Sequence, residues 1–214
     1  MKICLLSTDI SLCSDEFEQK LISLDLGINE EARLKSIKNA ESAKQSLIAR
    51  LALKELCDGI EHGNIARDEN GKPYFEIGAV HFSLSHTKTI AAAVITDKSE
   101  GRVGIDVEEI RTDRNTNSIA ARFFDPDELD EFKFSDKSFE SFYSLWTKKE
   151  ARAKLFGHGL SVELYGKKSS DKEIYYRQYA LRTGTTRAIL CVATEQKISE
   201  IKFIQDKEIE IYEL

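Results

Sequence analysis

Two segments of the chain each occur twice in similar form, and this internal repeat limits the folds that the sequence can adopt. Residues 47–59 and 145–157 align without gaps as helices that end in glycine. Residues 88–97 and 186–195 resemble each other as stretches of small and branched residues, typical of strands. Duplication would give two related α/β halves. The shared composition of any two helices and strands would give the same likeness, so both origins stay open.

The pattern of apolar residues along the chain predicts both helices and strands. Apolar spacing of three and four residues predicts a helical region at 30–59 and a longer helix at 138–156. Asp125 followed by Pro126 is a typical helix start. Residues 67–75 predict a turn and residues 111–118 a polar loop. Alternating or β-branched stretches predict strands at 2–8, 80–87, 89–97, 103–110, 175–181, 187–195 and 201–214.

Charge and composition exclude several classes of protein. The 214 residues include 31 Lys and Arg against 37 Asp and Glu, a net charge of −6. This acidity argues against a general nucleic-acid binder, which usually carries a basic stripe. The sequence has no run of 18 apolar residues, which excludes a membrane-spanning helix, and the polar N-terminus does not resemble a signal peptide. The cysteines lack metal-ligand spacing and are expected to be reduced thiols of a cytoplasmic protein: Cys4, Cys13, Cys57 and Cys191.

Two acidic motifs predict a cation site. In a strand, Asp106 and Glu108 point to the same side, about 6.6 Å apart, where two carboxylates repel unless a cation lies between them. On a helix, Trp146, Glu150 and Lys154 follow one another at four-residue spacing and share a face. A solvated edge strand and an exposed helix with one buried Trp would also produce these patterns.

Two further motifs offer donors and cations to an anion. Ser85 and His86 stand at the end of a predicted strand, although His86 would also suit a buried core position. Lys72 precedes Pro73 in a tight turn, which by itself is only a good turn sequence. Common phosphate, dinucleotide and zinc-protease motifs do not occur. Taken together, hard acids and phosphate-binding cations favour a Mg²⁺ site with a phosphate-rich substrate.

The order and spacing of these motifs resemble the 4′-phosphopantetheinyl transferases, in particular the longer single-chain class with two lobes. The matching motifs, within about residues 33–160, are GKP at 71–73, SLSHT at 83–87, GIDVE at 104–108, RFFDPDE at 122–128 and WTKKEARAK at 146–154. The pairing of GxDxE with WxxKExxxK about 40 residues later is the specific part of the likeness. GKP and SHT alone are common.

The resemblance implies a fold and a domain organisation. It predicts an α+β protein of two similar α/β halves with pseudo-twofold symmetry, each a small, mostly antiparallel sheet packed with a long helix. The halves are expected at residues 1–103 and 104–214, with the active site in the cleft between them. A monomer is expected, because two halves in one chain build such a site without a partner subunit.

The resemblance also implies an activity: transfer of the 4′-phosphopantetheine arm of coenzyme A to a serine of an acyl or peptidyl carrier protein, releasing 3′,5′-ADP. Coenzyme A is the substrate, and Mg²⁺, or Mn²⁺ in its place, is the cofactor. The implied metal ligands are Asp106, Glu108 and Glu150. The implied catalytic residues are Glu150, Lys154 and Lys149. The implied coenzyme A contacts are Lys72, Pro73, Ser85, His86, Arg33 and Ser46.

Other functions and several details stay open at this point. A Mg²⁺-dependent phosphohydrolase and a non-catalytic protein that binds coenzyme A or a carrier would use similar residues. The sequence leaves open whether Glu150 or a metal-bound water accepts the serine proton, and which carrier is modified. Arginines around the polar loop are candidates for carrier docking: Arg111, Arg114 and Arg122.

Overall fold

Six α-helices and ten β-strands lie within residues 1–135, 138–157 and 173–214, which the computed structural model describes. Residues 158–160, the end of the stretch that carries the resemblance, lie outside the described residues. The helices are α1 (Ser14–Ser23), α2 (Ile28–Lys35), α3 (Ala40–Leu56), α4 (Thr116–Phe123), α5 (Pro126–Phe134) and α6 (Phe139–Phe156). The strands are β1 (Lys2–Ser7), β2 (Ile65–Arg67), β3 (Pro73–Phe75), β4 (Val80–His86), β5 (Ile90–Asp97), β6 (Val103–Glu109), β7 (Tyr175–Thr183), β8 (Thr186–Thr194), β9 (Lys202–Gln205) and β10 (Ile209–Glu213).

The strands form two four-stranded sheets and one small two-stranded sheet. The first sheet has the order β4-β5-β1-β9, and the second has the order β10-β7-β8-β6. Within these two sheets, all pairs are antiparallel except β1 with β9. The small sheet pairs β2 with β3 around the turn that the sequence predicts.

Alternation along the strands explains how the layers pack. In β1, Ile3 and Leu5 belong to a core between the two four-stranded sheets, whereas Cys4 belongs to a core formed with α3. Strand β6 contributes Ile105 and Val107 to the core between the sheets. The two sheets therefore pack face to face, with α3 covering the outside of the first and α6 the outside of the second.

The long helix α6 lies unusually close to β6. A Cβ atom added at Gly104 would lie 2.0 Å from the backbone oxygen of Ala151 and 2.5 Å from the backbone nitrogen of Leu155. Only glycine permits this approach. The helix starts at Ser138, whose side chain accepts the N–H three residues on, and ends at Gly157 with φ 75°. Its length and its closeness to β6 bring its polar side chains to the edge of the second sheet.

The predicted α+β class is confirmed, and most predicted elements are present. The helical region expected at 30–59 is two helices, because Asn39 caps a new helix by accepting the Ser42 N–H. The strand expected at 201–214 is also two strands. The expected division of the chain between residues 103 and 104 falls inside β6, and β9 joins the first sheet from beyond it.

The cysteines and the apolar character of the helices complete the description of the fold. All four cysteines are free thiols, and only Cys13 is exposed. Within residues 1–135, 138–157 and 173–214, no helix has the length and apolar character needed to cross a membrane.

Candidate active site

The site begins where the edge strands of the two sheets meet. Ser83 and Ser85 share one side of β4, as residues two apart in a strand do. Their hydroxyl oxygens accept the backbone N–H groups of Ile105 and Val107, at 3.2 Å and 3.3 Å. These two side chains therefore hold β6 beside β4 and fix the position of the residue between, Asp106.

Ser85 connects Asp106 to Lys154 of α6. The Ser85 hydroxyl donates to Oδ1 of Asp106 at 3.0 Å, and Nζ of Lys154 donates to both of these oxygens at 2.8 Å. Asp106 is only 4% exposed. Among the described residues, no donor reaches its other oxygen, Oδ2, which is buried. A buried carboxylate oxygen without a donor is suited to a cation.

A second acid, Glu108, is held by an indole and a guanidinium group. Nε1 of Trp146 donates to Oε1 of Glu108 at 3.1 Å, and Nη1 of Arg114 lies 3.8 Å from Oε2. The Arg114 guanidinium stands 5.5 Å from the centre of the Trp146 ring. The only Trp of the chain thus orients one of the predicted metal ligands.

The third acid, Glu150, lies within the electrostatic influence of the other two. Burial, and then the charge of Asp106, raise the pKa of Glu150 to about 7, and Glu108 adds to the effect. Burial and Asp106 also raise the pKa of Glu108, against the Trp146 hydrogen bond that lowers it. Three carboxylates therefore share one partly desolvated region, where added positive charge would favour their ionised forms.

The acids are not arranged as a finished metal centre. In the parts of the chain that the structure describes, no group of three or more His, Cys, Asp or Glu side chains is placed to hold a metal ion. Lys154 and Arg114 contact Asp106 and Glu108 instead. The predicted Mg²⁺ site therefore stays a prediction.

Two adjoining cavities surround these groups. The larger, of about 660 Å³, is lined by residues that include His86 and the three acids. The smaller, of about 230 Å³, is lined by residues of the GKP turn, with Phe82 and Gly157. Leu84 and Lys154 line both. A cavity of about 580 Å³ beside α1 contains none of the predicted site residues.

Lys72 of the turn directs its ammonium group to two backbone carbonyls rather than to solvent. Nζ donates to the Leu155 carbonyl at 2.8 Å and lies 3.5 Å from the Val103 carbonyl. Burial, and then the charge of Arg102, lower the pKa of Lys72 to about 8. The lysine thus connects the turn to the last turn of α6 and to the start of β6, while Pro73 lines the smaller cavity.

His86 and Ser46 meet at the wall of the larger cavity. Nε2 of His86 and Oγ of Ser46 lie 3.3 Å apart. Desolvation of the ring, and then the Lys154 charge, lower the pKa of His86, although part of the residue remains exposed. The imidazole is therefore neutral at pH 7 and can accept or donate a hydrogen bond. Arg33 pairs with Glu30 and does not line this cavity.

Lys149 is not brought together with the other predicted catalytic residues. Its Nζ contacts both carboxylate oxygens of Glu128, at 2.9 Å and 2.7 Å, and it lines a separate cavity of about 240 Å³. Lys149 precedes Glu150, and consecutive helix residues point about 100° apart. The helix thus turns Lys149 toward α5 while Glu150 faces β6.

A buried cluster of charges beside the site was not predicted. Glu30 is 2% exposed and accepts hydrogen bonds from Arg33, Arg50 and Arg67. One feature of the sequence could have indicated it. Arg50 stands inside an apolar helical segment, and an arginine buried there needs an acidic partner.

Sequence comparisons with known proteins find relatives in one family. Residues 102–197, which include β6 and α6, match the family model of the 4′-phosphopantetheinyl transferase superfamily. A 4′-phosphopantetheinyl transferase of Bacillus subtilis is 29% identical over 172 residues, covering 77% of this chain and 74% of the relative. Relatives of the same name from Bacillus pumilus and Salmonella typhimurium are each 38% identical. Those matches span 44% and 42% of this chain and 40% and 47% of the relatives.

Proposed function

Because the chain belongs to the 4′-phosphopantetheinyl transferase superfamily, we propose that it transfers the 4′-phosphopantetheine arm of coenzyme A to a serine of an acyl or peptidyl carrier protein. The reaction converts the apo carrier to its holo form and releases 3′,5′-ADP. One observation carries the proposal. Asp106, Glu108 and Glu150 converge on a cavity with Lys154, within the stretch that matches the family.

The acidic side chains fit a divalent cation. Oδ2 of Asp106 is buried without a donor among the described residues, and burial, followed by repulsion from Asp106, raises the pKa of Glu150. All three offer the hard oxygen ligands that Mg²⁺ prefers, and Mn²⁺ accepts the same set. Asp106, Glu108 and Glu150 would hold the ion. When bound, it would neutralise charge on the pyrophosphate of coenzyme A.

The chain's own residues would do the remaining chemistry. The serine hydroxyl of the carrier attacks the β-phosphorus of coenzyme A, and the bond to the 3′,5′-ADP oxygen breaks. The Lys154 ammonium would stabilise the negative charge on that leaving oxygen. A Glu150 carboxylate oxygen that does not hold the ion would accept the proton of the attacking serine, directly or through a water. Lys149 contacts Glu128 instead, which supports a role in fixing α5 against α6 rather than in holding the pyrophosphate.

The coenzyme A molecule would extend through both cavities. Ser85 and His86 lie at the larger cavity, near the position proposed for the pyrophosphate. Pro73 and the backbone of Lys72 line the smaller one, which would take the adenosine end. Ser46 contacts His86 and Arg33 pairs with Glu30, and both side chains would contact a phosphate group of coenzyme A.

The fold supports a proposed two-lobed organisation. In residues 1–103, β1 pairs with the second strand of the β4–β5 hairpin, and α3 covers that sheet. In residues 104–214, β6 pairs in the same way with β8 of the β7–β8 hairpin, and α6 covers that sheet. We propose that these halves are related by pseudo-twofold symmetry and that the active site lies between them in a monomer.

The carrier would dock beside the larger cavity. Arg111 lines that cavity, Arg114 lies at Glu108, and the Arg122 guanidinium lies 5.1 Å from the Phe123 ring. These cations would contact acidic groups of the carrier.

The free thiols and the use of coenzyme A support a cytoplasmic location.

Mass spectrometry of a carrier domain tests the function. The protein is mixed with coenzyme A, Mg²⁺ and an apo carrier, and we expect the carrier to gain the mass of one phosphopantetheine arm. Phosphate release without carrier labelling would favour a phosphohydrolase instead. Binding of coenzyme A without either product would favour a non-catalytic binding protein.

Substitution of the acids tests the site. We expect Asp106→Ala and Glu150→Ala each to slow carrier labelling by about 10²–10³-fold or more, because each removes a contact to charge in the transition state. Glu213→Gln, which changes an exposed acid on β10, is the matched control. Thermal unfolding checks that each variant is folded. A Glu150→Ala variant with wild-type turnover at low Mg²⁺ would contradict the assignment.

A further inference from the structure

One buried carboxylate binds three arginines from separate parts of the first half of the chain. Glu30 lies on α2 and is 2% exposed. Nη2 of Arg50, on α3, donates to it at 2.6 Å. Nη2 of Arg67, on β2, donates at 2.9 Å, and Nη2 of Arg33, on α2, donates at 3.2 Å. Each arginine also donates its Nε to the same carboxylate.

The cluster remains charged and carries excess positive charge. Burial acts to raise the pKa of Glu30, but Arg50 and the hydrogen bonds from Arg33 and Arg50 outweigh it, so the pKa is lowered. The carboxylate is therefore ionised at neutral pH. Three guanidinium groups against one carboxylate leave an excess of two positive charges. Such an excess suits a ligand rich in phosphate.

Two of the arginines reach the proposed coenzyme A site with their remaining nitrogen. Nη1 of Arg50 donates to the Ser46 carbonyl at 3.0 Å, and the Ser46 side chain contacts His86. Nη1 of Arg67 donates to the Gly71 carbonyl at 2.6 Å, directly before Lys72. The Glu30 carboxylate is thus linked to both cavities. Arg50 connects it to Ser46, which contacts His86 of the larger cavity, and Arg67 connects it to Gly71 of the smaller cavity.

We propose that Glu30 is a positioning residue for coenzyme A, holding the three arginines so that their charge and the attached backbone segments are fixed before the substrate binds. This inference rests on the function proposed above. Glu30 is too buried to touch the substrate and acts through Arg33, Arg50 and Arg67. Pre-organised groups bind better because less freedom is lost on binding.

Substitution of Glu30 separates positioning from two other roles. If only the summed charge mattered, removing the carboxylate would raise the positive excess and strengthen binding of coenzyme A. If Glu30 served only the stability of the fold, the variant would unfold more easily but bind normally. Of the three roles, only positioning predicts that the variant folds but binds coenzyme A more weakly.

Calorimetric titration of coenzyme A into full-length Glu30→Gln measures the difference. We expect Kd to rise by about tenfold or more, since several charge-assisted hydrogen bonds lose their acceptor charge. Leu181→Ala is the control, because Leu181 is buried between the sheets, in a core that contains none of these groups. It should lower the unfolding temperature and leave Kd unchanged. An unchanged or lower Kd in Glu30→Gln would overturn the inference.

A second variant covers the case in which Glu30→Gln does not fold. Glu30→Asp keeps the charge but shortens the side chain by one methylene, so we expect a smaller rise in Kd. An unchanged Kd would overturn the inference. Coenzyme A binding and carrier labelling by the wild-type protein separate the two proposals. If the wild-type protein labels the carrier and Glu30→Gln binds coenzyme A with an unchanged Kd, only the positioning role of Glu30 is overturned. If the wild-type protein does not bind coenzyme A, both the positioning role and the proposed function are overturned.

Discussion

Within the part of the chain that the structure describes, the Ser85 hydroxyl makes three hydrogen bonds. It donates its single proton to Asp106 and accepts from Lys154 and from the Val107 N–H. A hydroxyl has one proton and two lone pairs, so its capacity is used. In this structure Ser85 therefore orients an acid and a cation of the proposed site.

Removing this hydroxyl should leave the direct contact between Lys154 and Asp106 in place but remove the group that orients both side chains. We expect Ser85→Ala to slow carrier labelling by on the order of 10²-fold, because Lys154 and Asp106 lose a shared partner. Labelling by mass spectrometry measures the rate. Ser83→Ala, which removes only the acceptor of the Ile105 N–H, is the matched variant and should have a far smaller effect. Equal losses in the two variants would contradict this role.

Lys72 should make stability depend on pH in the alkaline range. Burial and Arg102 lower its pKa from 10.5 to about 8, so the unfolded chain binds more protons between these values. Stability therefore rises as the pH rises from about 8 to 10.5 and is lost as the pH falls through this range. We expect a contribution of about 1–3 kcal/mol.

Thermal unfolding of the wild type and of Lys72→Met tests this expectation. The difference in Tm between them should increase in favour of the wild type from about pH 8 to pH 10. Other titrating groups act on both proteins and cancel in the difference. A constant difference across this range would show that Lys72 titrates as it does in the unfolded chain.

Single residues of the site were predicted unevenly from the sequence. Strand alternation placed Asp106 and Glu108 on one side of β6, and helix periodicity placed Glu150 and Lys154 on one face. Both are properties of local geometry. The pair formed by Lys149 with α5 joins two helices, and no local pattern shows which helix a lysine will face.

At the scale of elements, α6 determines how the acids meet. The helix contributes Trp146, Glu150 and Lys154 to the site, and its backbone lies against Gly104 of β6. The distance between α6 and β6 therefore decides whether the acid of the helix reaches the acids of the strand. A side chain at Gly104 would change that distance.

We expect Gly104→Ala to lower stability by about 2–3 kcal/mol and to slow carrier labelling, because the new Cβ meets backbone atoms that cannot rotate away. Thermal unfolding and mass spectrometry measure the two effects. Gly184→Ala is the control: its φ of 56° is strained for alanine, but the space around it is open. It should cost about 1 kcal/mol and leave labelling unchanged. Similar labelling by both variants would contradict the role of the close approach.

Elements were predicted well where the pattern was local and poorly where the chain changes direction. The strands between residues 80 and 109 are apolar and β-branched, and they are present as expected. The break between α2 and α3 was missed, although Asn39 is a good helix cap. The repeated segments fall on α3 with α6 and on β5 with β8, at the same separation in sequence.

For the whole molecule, the net charge of −6 contrasts with the cations around the site. We expect added salt to weaken carrier binding, because it screens exposed charges at the proposed docking surface. Arg122→Ala should weaken binding about twofold to fivefold at low salt and reduce the salt dependence. Titration calorimetry at two salt concentrations measures both effects.

Arg177→Ala is the control for this experiment, because Arg177 pairs with Glu213 at the edge of the second sheet. It should leave the affinity for the carrier unchanged. An affinity that does not change with salt would instead indicate docking through apolar contacts.

The arrangement of the sheets could not be predicted in full from the sequence. The antiparallel hairpins are local, and their strands follow one another directly. The parallel pairing of β1 with β9 joins residues about 200 positions apart, and no short motif specifies such a partner. The two-sheet core was therefore predictable as a class, whereas the place of β9 was not.

The pairing of β9 with β1 has a consequence during synthesis. On the ribosome, β1 is synthesised long before β9. The free edge of β1 therefore stays open in the nascent chain until residues 202–205 are made. Such an edge can pair with other chains. Translation order thus places closure of the first sheet after the synthesis of strands β2 to β8.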